Sequence, residues 1–184
     1  LYTTDEISDG FIGEYDISDL NNIQLTDEAQ TEPGQNVIPH NTHFLNNYII
    51  TSYYTSGITV HDVANKGNMV EVGSFDTSPN FSGNGFFGCW GVYPWLPSGL
   101  IIASDIEEGL YVLQPNYVRG AYLEGSIRDA SNNQTINGVD VTILGPNETT
   151  QSNTFGNFEM GIANPGNYHV VFSHPLYQSD TVFN

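Results

Sequence analysis

The stretch NYIITSYYTSGITVHDVA, residues 47–64, is one of three copies of a pattern that also occurs as LYTTDEISDGFIGEYDIS (residues 1–18) and LIIASDIEEGLYVLQPN (residues 100–116). Each copy has an apolar strand, a polar turn with a glycine, and a second apolar strand. The glycines, Gly10, Gly57 and Gly109, lie 47 and 52 residues apart. Repeats of about 40–50 residues are typical of β-propellers, in which each repeat supplies one four-stranded sheet, or blade, that must pack against its neighbours. The pattern therefore predicts propeller blades.

The middle repeat can supply all four strands of a blade, named A to D from the innermost to the outermost. The first repeat starts at strand B, so we expect its inner strand to lie upstream of this sequence. The third repeat has strands A to C, changes character after Pro115 and lacks a strand D. The predicted strands are Val37–Leu45, Asn47–Tyr54, Ile58–Val63 and Val70–Asp76 in the middle repeat, and Phe87–Trp95, Leu100–Ser104 and Leu110–Gln114 in the third.

Residues 118–184 have a different pattern of short strands separated by turn signals. Val139, Val141 and Ile143 alternate with Asp140 and Thr142, as a half-buried strand requires. We predict a small β-sandwich that is truncated at its C-terminus. Its six strands are expected near Ala121–Asp129, Asp140–Leu144, Thr149–Asn153, Asn157–Gly161, Gly166–Ser173 and Gln178–Phe183.

The predicted fold class is all-β: a partial β-propeller of about three blades over residues 1–117, followed by the small β-sandwich over residues 118–184. The composition agrees, because aromatic residues, at 12% of the chain, favour strands, and 19 glycines with 9 prolines supply many turns.

The chain is strongly acidic. Its only cationic side chains besides histidine are Lys66, Arg119 and Arg128, and its formal net charge is −18. Such a charge repels phosphate backbones and anionic membranes, which excludes nucleic acid as a partner. The sequence contains no transmembrane segment. Because uncharged polar residues dominate the surface composition, a secreted protein is favoured, and the single Cys89 is expected to be a small buried side chain.

Both halves resemble known families. DEISDGFIGEYDISDL (residues 5–20), PHNTHF (39–44), SGITVHDV (56–63) and GCWGVYPWLPSGLIIASDIEEGLYVL (88–113) resemble the choice-of-anchor B group of bacterial surface proteins, whose propellers consist of LVIVD-type repeats. GSIRDA, INGVDVTILG, TFGNFEMGI and PGNYHVVFSHPLY, within residues 120–184, resemble the carboxypeptidase regulatory-like domain, a transthyretin-like sandwich. The resemblance implies a fragment of an exported bacterial protein, at the cell surface and associated with the outer membrane, in which the sandwich is a spacer.

Two acidic turns precede the repeat glycines and suggest calcium as a cofactor. Hard carboxylate oxygens close together suit calcium, which takes six to eight oxygen ligands. The alternative is that these carboxylates are merely solvated. The candidate ligands are Asp5, Glu6 and Asp9 in the first repeat and Asp105, Glu107 and Glu108 in the third.

Trp90, Tyr93 and His40 are the candidate ligand-binding residues. Rings such as Trp90 and Tyr93 can serve as stacking platforms for surface glycans, although packing between blades is the commoner role of such rings. His40 and His43 are an odd number of residues apart on one predicted strand, so one metal site cannot easily use both. For His40, a structural role remains the alternative.

These observations favour a non-catalytic extracellular module that acts in surface binding, adhesion or assembly, and they indicate no catalytic residues. The expected partner is the upstream part of the propeller or another protein chain. Two alternatives stay open. One is a propeller hydrolase whose remaining site residues lie upstream, and the other is a purely structural stalk.

Overall fold

Every regular element within residues 1–183 is a β-strand. The computed structural model describes residues 1–183, which contain 16 strands and no helix, hence no helix that could cross a membrane. The chain divides into two compact units, residues 1–119 and residues 120–184.

The first unit consists of three separate antiparallel sheets. Sheet 1 contains β1 (Tyr2–Thr4), β2 (Ile12–Asp16) and β3 (Gln24–Ala29). Sheet 2 contains β4 (Thr42–Leu45), β5 (Tyr48–Ser52), β6 (Ile58–Asp62) and β7 (Val70–Phe75). Sheet 3 contains β8 (Cys89–Tyr93), β9 (Ile101–Asp105) and β10 (Gly109–Leu113). In each sheet the spatial order of the strands follows the chain, so the sheets hold three, four and three strands.

The three sheets repeat one register. In sheet 2, Ile58 pairs with Ser52 and Val60 with Ile50. The matching pairs are Leu110 with Ser104 and Val112 with Ile102 in sheet 3, and Ile12 with Thr4 and Glu14 with Tyr2 in sheet 1. The β2–β3 and β6–β7 pairs also share a bulge, between Glu14 and Tyr15 in one and between Val60 and His61 in the other. The repeat seen in the sequence is therefore a structural repeat.

This register corrects the alignment of the first copy. Ile12, two residues after Gly10, is equivalent to Ile58, which directly follows Gly57. Gly57 and Gly109 adopt left-handed φ values of 75° and 88°, which glycine tolerates best. In the first turn Asp9 adopts this conformation, with φ 53°. Gly10 is required there for close packing, because a Cβ would overlap the carbonyl oxygen of Asp5.

Sheet 2 is packed on both faces. One face contributes Ile49 and Tyr53 to a core with Ile12 of sheet 1. The opposite face contributes Ile50 and Ile58 to a core with sheet 3, whose buried members are Cys89, Val92, Ile101 and Ala103. Cys89 is buried, as predicted, and burial raises the pKa of its thiol to about 12.

The second unit has a two-stranded and a four-stranded sheet. Strands β11 (Ala121–Ser126) and β14 (Asn157–Ile162) form the first. The second has the order β13 (Glu148–Gln151), β12 (Asp140–Ile143), β15 (Val170–His174) and β16 (Tyr177–Val182). Val141 and Ile143 pack with Phe158, Met160 and Ile162 in one core, so the predicted alternation in β12 is confirmed.

Strands occur at every place for which bounds were predicted, but several predicted strands were too long, and two of them began at least four residues too early. The strand expected from Val37 begins only at Thr42. Pro39 precedes it, and proline cannot join a ladder as a donor because it has no backbone N–H. The strand expected from Gly166 begins at Val170. Before Val170 the chain forms a loop. In this loop the Tyr168 ring packs on Gly166, where an added Cβ would be only 2.9 Å from the ring.

A buried histidine makes the stability of the first unit dependent on pH. The His61 ring on β6 is buried, its Nδ1 has no hydrogen-bond partner among residues 1–183, and burial lowers its pKa from 6.5 to about 4. Between pH 6.5 and about pH 4, His61 is therefore neutral in the folded chain and protonated in the unfolded chain. Its stabilising contribution is complete above pH 6.5 and is lost as the pH falls towards 4.

We expect His61→Leu to flatten the pH dependence of unfolding. Leucine already occurs at this position of the repeat, because Leu113 of β10 is equivalent to His61 of β6. Urea unfolding of the full chain from pH 7 to pH 5 should show a falling midpoint in the parent and a smaller fall in the variant. Equal slopes would show that His61 is not the titrating group.

Candidate ligand-binding site

Five side chains from separate segments of the first unit form one group, which we call the aromatic cluster: Glu6, His40, Tyr54, Phe86 and Trp90. Glu6 lies in the turn between β1 and β2, and His40 precedes β4. Tyr54 follows β5, and Trp90 lies on β8. All three sheets of the first unit therefore contribute to the cluster.

Glu6 is the polar centre of the aromatic cluster. Its Oε1 accepts a hydrogen bond from the Tyr54 hydroxyl at 2.6 Å and lies 2.7 Å from Nδ1 of His40. The hydrogen bond from Tyr54 and the nearby His40 hold the pKa of Glu6 below its usual value. Burial and the Glu6 carboxylate raise the pKa of Tyr54, which therefore stays a protonated donor.

The rings of the cluster contact one another in a row, from Trp90 through His40 and Tyr54 to Phe86. His40 stacks on Trp90, with ring centroids 5.5 Å apart and planes 22° apart. Tyr54 lies 5.3 Å from His40 on one side and meets Phe86 edge-on at 5.2 Å on the other. Trp90 is 55% exposed and Phe86 58%, whereas Tyr54 is buried. The cluster therefore presents open aromatic surface beside a carboxylate and an imidazole.

A short backbone bridge holds Tyr54 and Trp90 in place. Tyr54 and Cys89 exchange two backbone hydrogen bonds, of 3.1 and 2.9 Å, which join sheets 2 and 3. Tyr54 has φ 36°, which is unusual for a bulky residue and costs about 1–3 kcal/mol where it occurs. Gly88 permits the close approach, since a Cβ there would be 2.5 Å from the Tyr54 carbonyl oxygen. The strained backbone at Tyr54 is therefore part of the arrangement that positions the Tyr54 and Trp90 rings.

The structure brings together two of the three predicted ligand residues. His40 and Trp90 are in contact, but Tyr93 packs on Trp95, with centroids 5.4 Å apart. Trp95 in turn meets His43 edge-on at 4.8 Å. His40 and His43 thus belong to different ring groups.

Four of the six candidate calcium ligands accept hydrogen bonds from the protein. Glu6 belongs to the aromatic cluster, and Asp9 accepts a hydrogen bond from the Asn36 N–H at 2.7 Å. Glu107 accepts from the Gly88 N–H at 2.8 Å. In residues 1–183 no group of three or more His, Cys, Asp or Glu side chains could hold a metal ion. The calcium sites therefore stay a prediction, without geometric support.

Asp105 organises its turn. Its Oδ2 accepts hydrogen bonds from the hydroxyls of Thr77 and Ser78, at 2.6 and 2.5 Å. Its Oδ1 accepts from the N–H groups of Glu107 and Glu108, at 3.0 and 2.9 Å. Burial acts to raise the pKa of Asp105, but the four hydrogen bonds outweigh it and hold the pKa below its usual value. The carboxylate caps the β9–β10 turn.

Sequence reasoning did not find Tyr54 and Phe86, and it did not indicate the contacts of Glu6 with Tyr54 and His40. Glu6 and Tyr54 are 48 residues apart in the chain, and nothing in the local pattern at either residue indicates the other. The available signal is the repeat itself, because the turns of adjacent repeats lie at the same end of their sheets.

We expect Asp105→Ala to destabilise the first unit by about 2–4 kcal/mol, because it leaves two buried hydroxyls and two N–H groups without their charged acceptor. Glu108→Ala is the matched control: it removes the same charge from an exposed side chain that makes no hydrogen bond within residues 1–183, and should change stability by less than about 0.5 kcal/mol. Chemical denaturation measures both. Equal effects would refute the capping role.

Calcium is tested separately. With a net charge of −18, any added cation should raise the melting temperature by screening self-repulsion. A bound calcium ion would add about 2.7 kcal/mol at a hundredfold excess over Kd. Asp105→Asn combined with Glu107→Gln should remove that addition. Equal melting temperatures in calcium chloride and sodium chloride at matched ionic strength would leave screening alone and eliminate the site.

Comparison with known protein families finds a match within the second unit. Residues 122–183 match the family model of the carboxypeptidase regulatory-like domain, a non-catalytic β-sandwich module. No curated protein and no solved structure matches the chain. The match does not reach residues 1–121, so the resemblance of that segment to choice-of-anchor B proteins stays a prediction.

Proposed function

We propose that the chain is a non-catalytic module of a secreted bacterial protein at the cell surface, associated with the outer membrane, and that it binds neutral glycans through the aromatic cluster. The single observation that carries the proposal is the exposed Trp90 ring, stacked on His40 beside the Glu6 carboxylate. A flat apolar ring with a hydrogen-bond acceptor at its rim suits a sugar, which has an apolar face and peripheral hydroxyls.

The charge of the chain narrows the ligand class. At −18 the surface repels sulfated and uronic-acid glycans as it repels phosphate. The Glu6 carboxylate contacts Tyr54 and His40 of the same cluster, and a carboxylate accepts hydrogen bonds from sugar hydroxyls. Neutral hexose or N-acetylhexosamine glycans are therefore the proposed ligands, bound in adhesion or surface assembly.

The first unit, in this proposal, consists of propeller blades of the LVIVD type found in choice-of-anchor B proteins. Three sheets with one register, a bulge shared by two of them and packing face to face support this assignment. The carboxypeptidase regulatory-like sandwich then serves as a spacer.

A second candidate function is a hydrolase. The Glu6–His40 pair favours it, since a carboxylate that holds one imidazole nitrogen is how a general base is oriented. Within residues 1–183 the His40 ring makes no hydrogen bond to a serine, threonine or cysteine nucleophile, so any such partner would have to come from elsewhere. A purely structural stalk predicts neither binding nor turnover.

We expect Trp90→Ala to weaken binding of neutral oligosaccharides about tenfold, a loss of about 1.4 kcal/mol. Tyr93→Ala is the matched control, because it removes a similarly exposed ring from the same strand but outside the aromatic cluster. A glycan array followed by calorimetry on the best ligand measures both variants. Equal losses, or no binding by the parent chain, would overturn the proposed site.

Turnover distinguishes the two candidate functions. Release of new sugar ends from the bound glycan, abolished by His40→Ala, would favour the hydrolase. Binding without release supports the non-catalytic module.

A further inference from the structure

The chain contains two Asn-Gly pairs in similar surroundings. One is Asn84–Gly85, in the loop between β7 and β8, and the other is Asn137–Gly138, just before β12. Both asparagines are exposed and both glycines are half-buried. Neither asparagine side chain makes a hydrogen bond within residues 1–183. The two pairs differ in what the glycine nitrogen does.

That nitrogen matters because an Asn-Gly pair can rearrange without an enzyme. The glycine nitrogen loses its proton to a base in solution and attacks Cγ of the asparagine, and the Cγ–Nδ2 bond breaks as ammonia leaves. Water then opens the resulting succinimide ring at one of its two carbonyls, which gives aspartate or isoaspartate. The net change consumes one water and releases one ammonia. Glycine favours the attack because no Cβ obstructs its nitrogen.

In the second unit the attacking nitrogen is held in a hydrogen bond. The Gly138 N–H donates to the Ser152 carbonyl at 2.8 Å. The residues on either side are also fixed, since the Ile136 N–H donates to the Ile127 carbonyl at 3.1 Å and the Val139 N–H to Oγ of Ser152 at 3.0 Å. Attack by Gly138 therefore requires this segment to open locally first.

In the loop before β8 the attacking nitrogen is not held. Within residues 1–183, no backbone N–H from position 82 to position 87 donates a hydrogen bond. The loop is fixed on either side of the pair: the Thr55 hydroxyl donates to the Gly83 carbonyl at 2.7 Å, and the Gly88 N–H donates to Glu107 at 2.8 Å. Attack by Gly85 therefore needs no hydrogen bond of the fold to break.

We propose that Asn84 is a site of spontaneous deamidation and isomerisation in the folded protein, and that the fold protects Asn137 from the same reaction. The reaction needs only water and base, so it proceeds in any neutral or alkaline solution. Its product carries a new carboxylate in the loop before β8.

The modification alters the aromatic cluster, because Phe86 follows the pair directly. Phe86 meets Tyr54 edge-on, with ring centroids 5.2 Å apart. An isoaspartyl linkage adds one methylene to the backbone between the points fixed at Gly83 and Gly88. The loop must absorb that extra length, and Phe86 lies within it. We therefore expect the modified chain to lose the native contact between Phe86 and Tyr54.

Peptide mapping by mass spectrometry, after incubation of the full chain in mildly alkaline buffer, measures conversion at both pairs. We expect conversion at Asn84 to be at least tenfold faster than at Asn137, because only the latter must wait for local opening. In urea-unfolded chain the two rates should converge. Amide hydrogen exchange of the unmodified chain should show Gly85 exchanging faster than Gly138.

Asn84→Gln is the matched control for the effect on the cluster. Glutamine keeps an exposed neutral amide, but its extra methylene makes the ring closure slow. After the same incubation, NMR should show shifted Phe86 and Tyr54 ring resonances in the parent and unchanged ones in the variant.

Two results would overturn the modification site. One is conversion in the folded chain that is equal at the two pairs or faster at Asn137. The other is a rate difference that persists in urea, which would trace the difference to the neighbouring sequence and not to the hydrogen bond of Gly138. Conversion at Asn84 with unshifted Phe86 resonances would contradict the effect on the cluster. None of these results depends on glycan binding at Trp90.

Discussion

The first unit depends on a single sheet that must be covered on both faces. All five residues of β5 are buried, with Ile49 directed to sheet 1 and Ile50 to sheet 3. A sheet with two apolar faces is stable only between two other layers. Because successive side chains of a strand point to opposite faces, the run YIITS imposes a layer on each side, and the repeat supplies both layers from the same chain.

The same packing creates the aromatic cluster. Once sheets 1, 2 and 3 lie face to face in one register, their B–C turns meet at one end, which brings Glu6 next to Tyr54. The bridge between Tyr54 and Cys89 then fixes β8 and with it Trp90. The strained φ of Tyr54 accompanies this constraint, since the paired hydrogen bonds with Cys89 and the bond from the Gly57 N–H hold its backbone. The cluster is a consequence of stacking and needs no dedicated motif.

Sequence reasoning succeeded where the determinant is local. Apolar periodicity and turn residues predicted the strands of the second and third sheets and of the second unit, although not β3, and burial of Val141 and Ile143 followed from alternation. It failed where the determinant is a contact between repeats. The acidic turns look alike in sequence, yet Glu6 bonds Tyr54 and His40, while Asp105 bonds Thr77, Ser78 and its own turn. An acidic residue before a glycine shows that a turn is present and leaves open what its carboxylate binds.

Trp90 of the aromatic cluster and the outer strand β10 lie on opposite sides of sheet 3. Trp90 lies on β8, and β9 is hydrogen-bonded between β8 and β10. Strand β9 is fixed on its buried face by Ile101 and Ala103 and at its end by Asp105, so it already has the support that a central strand needs. Because β9 packs on sheet 2 through its own side chains and pairs with β8, the position of Trp90 depends on the core between sheets 2 and 3.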